Sequence, residues 1–330
     1  MTGRGGLCKL GVMAVFTTLD SHDIDAFLQD YDLGKLERFE GILSGVENTN
    51  YHIFTDKGRY VLTVHEGKVA EADLPFFLGY IQHLSDRHIP TCTTIANKSG
   101  ALYGFVKSKT ATISAFLEGA GTTLDDITPD QCIQLGRMLG KMHVEGRSFP
   151  LKRPNQMGLD QWRALWLKTH AQADRVLTGQ SAFVNEELEL IAAHFATLNL
   201  RDLPAGPTHC DLFPDNVFFD GGQLSGIIDF YYACNEYFIY DLALSVNAWC
   251  FDGDTNYVEA RFQALITGYS AIRALTADEV SVFNIMLRAS ALRIQMTRLY
   301  DYLNHSDDHH VSPHDPTAFI KRIMLWKEPV

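Results

Sequence analysis

His209-Cys210-Asp211-Leu212-Phe213-Pro214-Asp215-Asn216-Val217, followed by Ile227-Ile228-Asp229-Phe230, is the stretch that decides how this chain is built. Val217-Phe218-Phe219 reads as a short strand, Asp220-Gly221-Gly222 as a tight turn, and residues 224–228 as the returning strand. A hairpin of that length carries Asp229 back towards Asn216. The loop that holds Asp211 hangs at the same end, so two carboxylates and an amide oxygen converge.

Outward from this hairpin the chain separates into two kinds of sequence. On the N-terminal side, Asp20-Ser21 followed by Ile24, Phe27, Leu28 and Tyr31 predicts a capped amphipathic helix. Strand patterns follow over 36–44, 50–55 and 59–65, with Asp56-Lys57-Gly58 as the turn between the last two. Leu74, Phe77, Leu78, Ile81 and Leu84 recur at helical spacing and stop before Pro90. Two more strands are expected over 101–106 and 111–116. Beyond Glu118-Gly119-Ala120-Gly121 the pattern turns helical, opening with the capping box Thr128-Pro129-Asp130-Gln131. Further helices are expected near 159–177, 185–198, 239–250, 255–272 and 277–303, interrupted by one β island from about 208 to 230. The expected architecture is α+β and two-lobed, with a β-rich N-lobe over 13–117 and a mainly helical C-lobe over 118–330. Such layouts hold ligands in the cleft between lobes. Residues 1–12, rich in Gly, are read as a disordered extension.

Composition narrows the partners. A net charge of −12 over 330 residues argues against nucleic acid, whose phosphates reward clustered Lys and Arg. An acidic protein that handles phosphates needs a locally positive or metal-filled site. The six cysteines are scattered without a CxxC, which suits reduced thiols and a cytoplasmic setting better than a disulfide framework. No apolar run approaches the roughly 18 residues of a membrane span.

The converging oxygens suit phosphoryl transfer, where the protein positions a hydroxyl and holds Mg²⁺ with hard oxygen ligands. One carboxylate must stay off the metal to accept the hydroxyl's proton. Asp211 takes that role in this reading, with Asn216 and Asp229 as metal ligands. His-x-Asp-x-x-x-x-Asn with a hairpin-spaced Asp is a kinase catalytic signature. It resembles the catalytic and metal loops of the aminoglycoside phosphotransferase/choline kinase group of protein-kinase-like enzymes, over nearly the whole chain from Met13. Within that group the chain resembles the bacterial homoserine kinases of this fold. The stretches that carry this likeness are Glu47-Asn48-Thr49-Asn50-Tyr51, Tyr60-Val61-Leu62-Thr63, Leu74-Pro75-Phe76-Phe77-Leu78, Tyr240-Asp241-Leu242-Ala243, Asn247-Ala248-Trp249-Cys250-Phe251, Arg298-Leu299-Tyr300-Asp301 and His314-Asp315-Pro316.

The resemblance implies ATP and Mg²⁺ as cofactors, L-homoserine as the acceptor and O-phosphohomoserine, on the route to threonine, as the product. It implies that Ser44-Gly45-Val46-Glu47-Asn48 covers the phosphates, although a Gly between strands also serves as a plain turn. It puts Phe116-Leu117-Glu118-Gly119 at the adenine edge. Where the wider kinase pattern has a strand lysine, Thr63 stands, leaving Lys57 and Lys68 as candidate cations for Glu71. Asp241 is expected to brace the catalytic loop. Homoserine's carboxylate calls for a guanidinium and its amine for an acid. His209, Tyr232, Trp249, Arg293 and Arg298 are the substrate-binding candidates, with Arg273 and Arg288 behind them. An arginine that caps carbonyls and an aromatic that simply fills core are the competing readings. His305, His309, His310 and His314 with Asp307, Asp308 and Asp315 match no zinc spacing. Choline, ethanolamine, aminoglycosides or other alcohols remain alternative acceptors, and a catalytically silent nucleotide-binding module is the alternative of another class.

Overall fold

The computed structural model describes residues 17–42, 48–67, 69–197, 203–253, 255–305 and 314–328. Residues 1–12, Ser44, Gly45, Lys68, Asp307, Asp308, His309 and His310 lie outside these. Two compact units emerge: one holds the described residues up to 71, residues 94–116 and His305, and the other holds 72–93, 117–304 and the described residues beyond 313.

The first unit is an antiparallel sheet with one helix. Asp20 caps α1 (Ser21–Leu28) through a reciprocal box with Asp23. Strands β1 (Leu36–Ile42), β2 (Thr49–Thr55), β3 (Gly58–Val64), β4 (Gly104–Val106) and β5 (Lys109–Ala115) follow in the order β1-β2-β3-β5-β4. Alternate residues of β2 are buried, as a sheet with one covered face requires. Tyr51, Ile53, Leu62, Val64, Ala111 and Ile113 pack with Ile24, Phe27 and Leu28 of α1 to form this unit's core.

The second unit contains α2 (Leu74–Ser85), which the sequence reading assigned to the N-lobe. Its aromatic face explains the difference. Phe77 meets Tyr231 edge-on at 5.7 Å, Tyr80 meets Phe230 at 5.9 Å, and the Tyr80 hydroxyl donates to the Pro207 carbonyl at 3.2 Å. Helices α3 (Pro129–Gly146), α4 (Leu159–Val176) and α5 (Gln180–Thr197) come next, and Thr128 and Gln131 cap α3 as their spacing predicts. Strand β6 (Ala205–Thr208) leads into the loop at 209–216. The hairpin β7 (Val217–Asp220) and β8 (Gln223–Ile227) follows, and then β9 (Cys234–Tyr237), which pairs antiparallel with β6. Helix α6 (Phe238–Trp249) is buried on every side and is mostly apolar, and its Asp241, Ser245 and Asn247 are each hydrogen-bonded. After the short pair β10 (Phe251–Asp252) and β11 (Asn256–Tyr257), α7 (Glu259–Ser270), α8 (Ala277–Leu303) and α9 (Thr317–Leu325) complete the unit. Helix α9 has no counterpart in the sequence reading. Pro316 occupies its N-cap, and prolines there read as loop.

Candidate active site

The loop after β6 is held by side chains from two helices. Asp241, in the first turn of α6 and fully buried, accepts the backbone N–H of His209 (3.0 Å) and of Cys210 (2.9 Å) on its two carboxylate oxygens. The bracing role expected of Asp241 is therefore literal. Trp249 on α6 donates its indole N–H to the Leu212 carbonyl at 2.8 Å, and Arg293 on α8 donates Nη1 to the Cys210 carbonyl at 2.7 Å. Cys210 takes a φ of 60°, unusual for a residue with a β-carbon, and these partners over-determine that backbone. Within the loop, the Asp211 carbonyl accepts from Phe213 N–H at 2.9 Å and from the Asn216 side-chain amide at 2.9 Å.

The hairpin does what its length predicts. Val217 faces Ile227, and Ile228 N–H donates to the Asn216 carbonyl at 3.0 Å, so Asp229 follows directly on a bonded partner of Asn216. Asp229 itself sits at φ 62° and ψ 66°, a left-handed conformation that ends the strand abruptly. Both edges of the hairpin are covered. Cys92 N–H bonds the Ile227 carbonyl and Ile227 N–H the Pro90 carbonyl, while Ala120 exchanges bonds with Phe219. Gly119 and Gly121 allow that approach. A β-carbon on Gly119 (φ +98°) would come within 2.4 Å of the Phe219 carbonyl oxygen, and one on Gly121 within 2.8 Å of Asp215 Cα. Ser225 donates to the Glu118 carbonyl at 2.6 Å, so the connector is knitted to the hairpin.

The donor set fits a hard divalent cation. The Asn216 amide nitrogen is spent on the Asp211 carbonyl and, at 3.5 Å, on its Oδ2, which leaves the amide oxygen as the end able to bind metal. Among the described residues no three His, Cys, Asp or Glu side chains gather into a metal cluster; a cation held by Asn216 and Asp229 would take its remaining ligands from water and phosphate.

A phosphotransferase enzyme family model matches residues 38–275 of this sequence. The chain belongs to that family. It is 41% identical to a homoserine kinase of Parvibaculum lavamentivorans, over 96% of each chain. It is 42% identical to a homoserine kinase of Methylobacterium radiotolerans, over 96% of this chain and 97% of that one. Among solved structures, a microcompartment-associated aminopropanol kinase superposes with a TM-score of 0.71 at 16% identity, covering 93% of this chain and 97% of that one. An amicoumacin kinase in complex with AMP-PNP, Ca²⁺ and Ami gives 0.69 at 15% identity, covering 94% of each. These structural likenesses establish the protein-kinase-like α+β fold of the phosphotransferase.

Within this phosphotransferase the five substrate-binding candidates separate. Arg293 lies beside the catalytic loop, its Nη2 3.6 Å from Asp211 Oδ1 and its guanidinium over the Tyr232 ring at 5.2 Å. Those three residues are together, as expected. His209 is not a substrate contact: its ring is fully buried and its Nε2 engages the Ile228 carbonyl at 3.0 Å, tying loop to hairpin. Trp249 is likewise core, fully buried beneath the loop rather than walling a pocket. Arg298 stacks on Phe319 of α9 at 4.6 Å; five residues along a helix turned it away from Arg293.

Of the expected nucleotide contacts, Thr63 donates its hydroxyl to Asn50 across the β2–β3 ladder at 2.7 Å, and Asn48 accepts the Glu66 N–H at 3.2 Å. Phe116 packs beside His52 and under Arg59. Lys57 does not serve Glu71, because it is paired with Asp32 at 2.6 Å; Glu71 accepts instead from the Tyr103 hydroxyl.

Sequence reasoning missed the network behind Asp241. Arg273 donates Nη1 to the Tyr269 hydroxyl (2.9 Å) and Nη2 to Glu279 (2.8 Å). An arginine only donates, so the Tyr269 proton is left for His143 Nδ1 at 2.7 Å. His143 is then neutral with its proton on Nε2, which donates to Asp241 at 3.1 Å. Burial pushes His143 down from its ordinary value, in keeping with the neutral ring. For Asp241 burial acts upward, but the bonds from His143 and the His209 N–H outweigh it and hold the carboxyl below its ordinary range. A buried relay thus runs from the N-terminus of α8 to the loop carrying Asp211.

Proposed function

We propose that this chain transfers the γ-phosphoryl group of ATP to the side-chain hydroxyl of L-homoserine, giving O-phospho-L-homoserine for threonine biosynthesis. The observation that carries the reading is the joint placement of Asp211, Asn216 and the Asp229 backbone at one end of a hairpin, in a chain about 40% identical to homoserine kinases along nearly its full length. Asp211 orients the acceptor hydroxyl and takes its proton. Asn216 and Asp229 hold Mg²⁺, which when bound neutralises the phosphate charge. Asn48, Thr63, Phe116 and Glu118, with Ser44 and Gly45, are the nucleotide-facing set in this reading, and Tyr232 and Arg293 face the acceptor. Among the described residues no helix is long and apolar enough to cross a membrane, and five cysteines are free thiols, which supports a cytoplasmic location.

The test is ADP release coupled to a dehydrogenase, with homoserine, choline, ethanolamine, a 1-amino-2-alcohol and an aminoglycoside offered at equal concentration. Homoserine is expected to give the highest kcat/KM, in a Mg²⁺-dependent reaction. Preference for any other acceptor defeats the assignment.

A further inference from the structure

Arg153, in the segment between α3 and α4, is buried and joins two places that lie far apart in sequence. Its Nη2 donates to Asp73 Oδ2 at 2.9 Å and its Nη1 to the Ala233 carbonyl at 3.2 Å, while the guanidinium covers the Phe77 ring at 4.7 Å. Asp73 is the N-cap of α2, where an aspartate ordinarily bonds the helix's own N–H groups. Here the carboxylate goes instead to Arg153 and, at 3.3 Å, to the Gln156 amide. The backbone beneath the guanidinium is fixed as well. Arg153 N–H donates to the Asn235 side-chain oxygen at 2.8 Å, and the Arg153 carbonyl accepts the Asn235 N–H at 2.7 Å.

The stretch from Ala233 back to Asp229 is closed. Phe230–Tyr232 make a single helical turn, and Ala233 N–H bonds the Phe230 carbonyl at 2.9 Å. On the other side of Asp229, Ile227 is bonded in both directions to Pro90 and Cys92, just beyond the C-terminal end of α2. Asp229 therefore stands between two anchors, one tied to each end of α2, and the contacts of Phe77 with Tyr231 and of Tyr80 with Phe230 fill the space between them. Its backbone is left-handed, at φ 62°. A residue with a β-carbon stays in that conformation only where its surroundings over-determine it. The grip on Ala233 is one of those determinants.

We propose that Arg153 is a positioning residue for Asp229: by joining the N-cap of α2 to the Ala233 carbonyl, it closes a frame around the left-handed residue and sets the metal affinity of the site. This rests on Asp229 as a Mg²⁺ ligand, as in the functional reading above, and it does not depend on which alcohol accepts the phosphoryl group.

The experiment measures the Kd of a non-hydrolysable ATP analogue by calorimetry, once with saturating Mg²⁺ and once with a chelator, on the full-length wild type, Arg153→Met, Arg153→Lys and Asp73→Asn. The ratio of the two Kd values reports what the protein gains from the metal, since the free nucleotide is the same throughout. In Arg153→Met that gain should shrink by about tenfold, the low end for a residue that orients a metal ligand, while the Kd in chelator stays put. Arg153→Lys keeps the charge opposite Asp73 but lacks the planar fork that reaches two acceptors, so it should lie between wild type and Arg153→Met. It gives the reading if the methionine variant does not fold. Asp73→Asn, at a partly exposed position, should shift the ratio in the same direction. A merely structural Arg153 would lower the unfolding temperature and leave the ratio unchanged in the folded variants, which overturns the inference. A wild type that gains nothing from Mg²⁺ overturns the metal reading and this inference together. Failure of homoserine as the acceptor leaves the inference standing, because no acceptor enters the measurement.

Discussion

Arg293 Nη2 stands 3.6 Å from Asp211 Oδ1 while its Nη1 donates to the Cys210 carbonyl at 2.7 Å, so one guanidinium on α8 fixes both the carboxylate and the backbone that carries it. It is 4% exposed, and its plane is covered by Tyr232. The loop cannot tilt without breaking that grip. Replacing Arg293 by Met keeps the bulk and removes both contacts. We expect kcat to fall roughly ten- to a hundredfold, with KM for ATP unchanged, because what is lost is a charged hydrogen bond at the acceptor side. Steady-state kinetics with ATP and homoserine varied separately would show it, and wild-type kcat would remove Arg293 from the positioning role.

Asp211→Asn tests the base itself. The amide cannot take a proton from the acceptor, and kcat should fall by about 10²- to 10⁴-fold. Nucleotide binding, followed by titration with a non-hydrolysable ATP analogue, should be retained because Asp211 is not a metal ligand in the proposed reading. Equal loss of binding and turnover would move Asp211 from the acceptor side to the nucleotide side.

Asp229→Asn tests the metal ligand. A neutral amide in place of the carboxylate weakens a hard-cation site, so the Mg²⁺ concentration for half-maximal rate should rise about tenfold or more, and chelation should abolish turnover in both proteins. A variant with an unaltered Mg²⁺ titration would exclude Asp229 as a ligand.

How much of this was legible in the residues follows from range. The caps at Asp20 and Thr128 and the turn at Gly221-Gly222 are local patterns, so they read directly, and the hairpin geometry that brings Asp229 to Asn216 followed from them. Helix α2 was recognised but assigned to the wrong unit, because its spacing reports a buried face and not what buries it. The pairing of β6 with β9 joins two four-residue strands too short to alternate visibly. His209 and Trp249 were over-read, since proximity to a catalytic aspartate in sequence does not say which way a side chain faces.

Three buried histidines make stability fall as pH drops. Burial pushes His65 and His209 each from 6.5 down to about 4, and lowers His143 as well. A histidine whose folded value is depressed contributes fully above its unfolded value of about 6.5, and that contribution is lost as pH falls towards the folded value. At pH 5 the cost is about 2 kcal/mol for each of His65 and His209. Urea unfolding at pH 8 and pH 5 should show the difference. His209→Gln, which can still donate to the Ile228 carbonyl, should lose about half of the part due to these two residues. A pH-independent midpoint between 8 and 5 would contradict the neutral buried rings.

Gly121 links the connector to the turn that carries Asn216. Thr122 N–H bonds the Pro214 carbonyl at 3.1 Å, and a β-carbon on Gly121 would sit 2.8 Å from Asp215 Cα and 2.9 Å from the Pro214 oxygen. Both are backbone atoms, so no flexible side chain can yield. Gly121→Ala must therefore push the 214–216 turn, and Asn216 moves with it, at a cost of about 1–3 kcal/mol in stability. Because Asn216 bonds Asp211 and is a metal ligand in the proposed reading, the variant should show a lower kcat together with a raised Mg²⁺ requirement, whereas a change confined to the ATP side would raise KM for ATP alone. Thermal unfolding, a Mg²⁺ titration and a KM for ATP on one preparation separate these. A folded Gly121→Ala protein with wild-type kcat and Mg²⁺ dependence would mean that the connector does not constrain the catalytic loop.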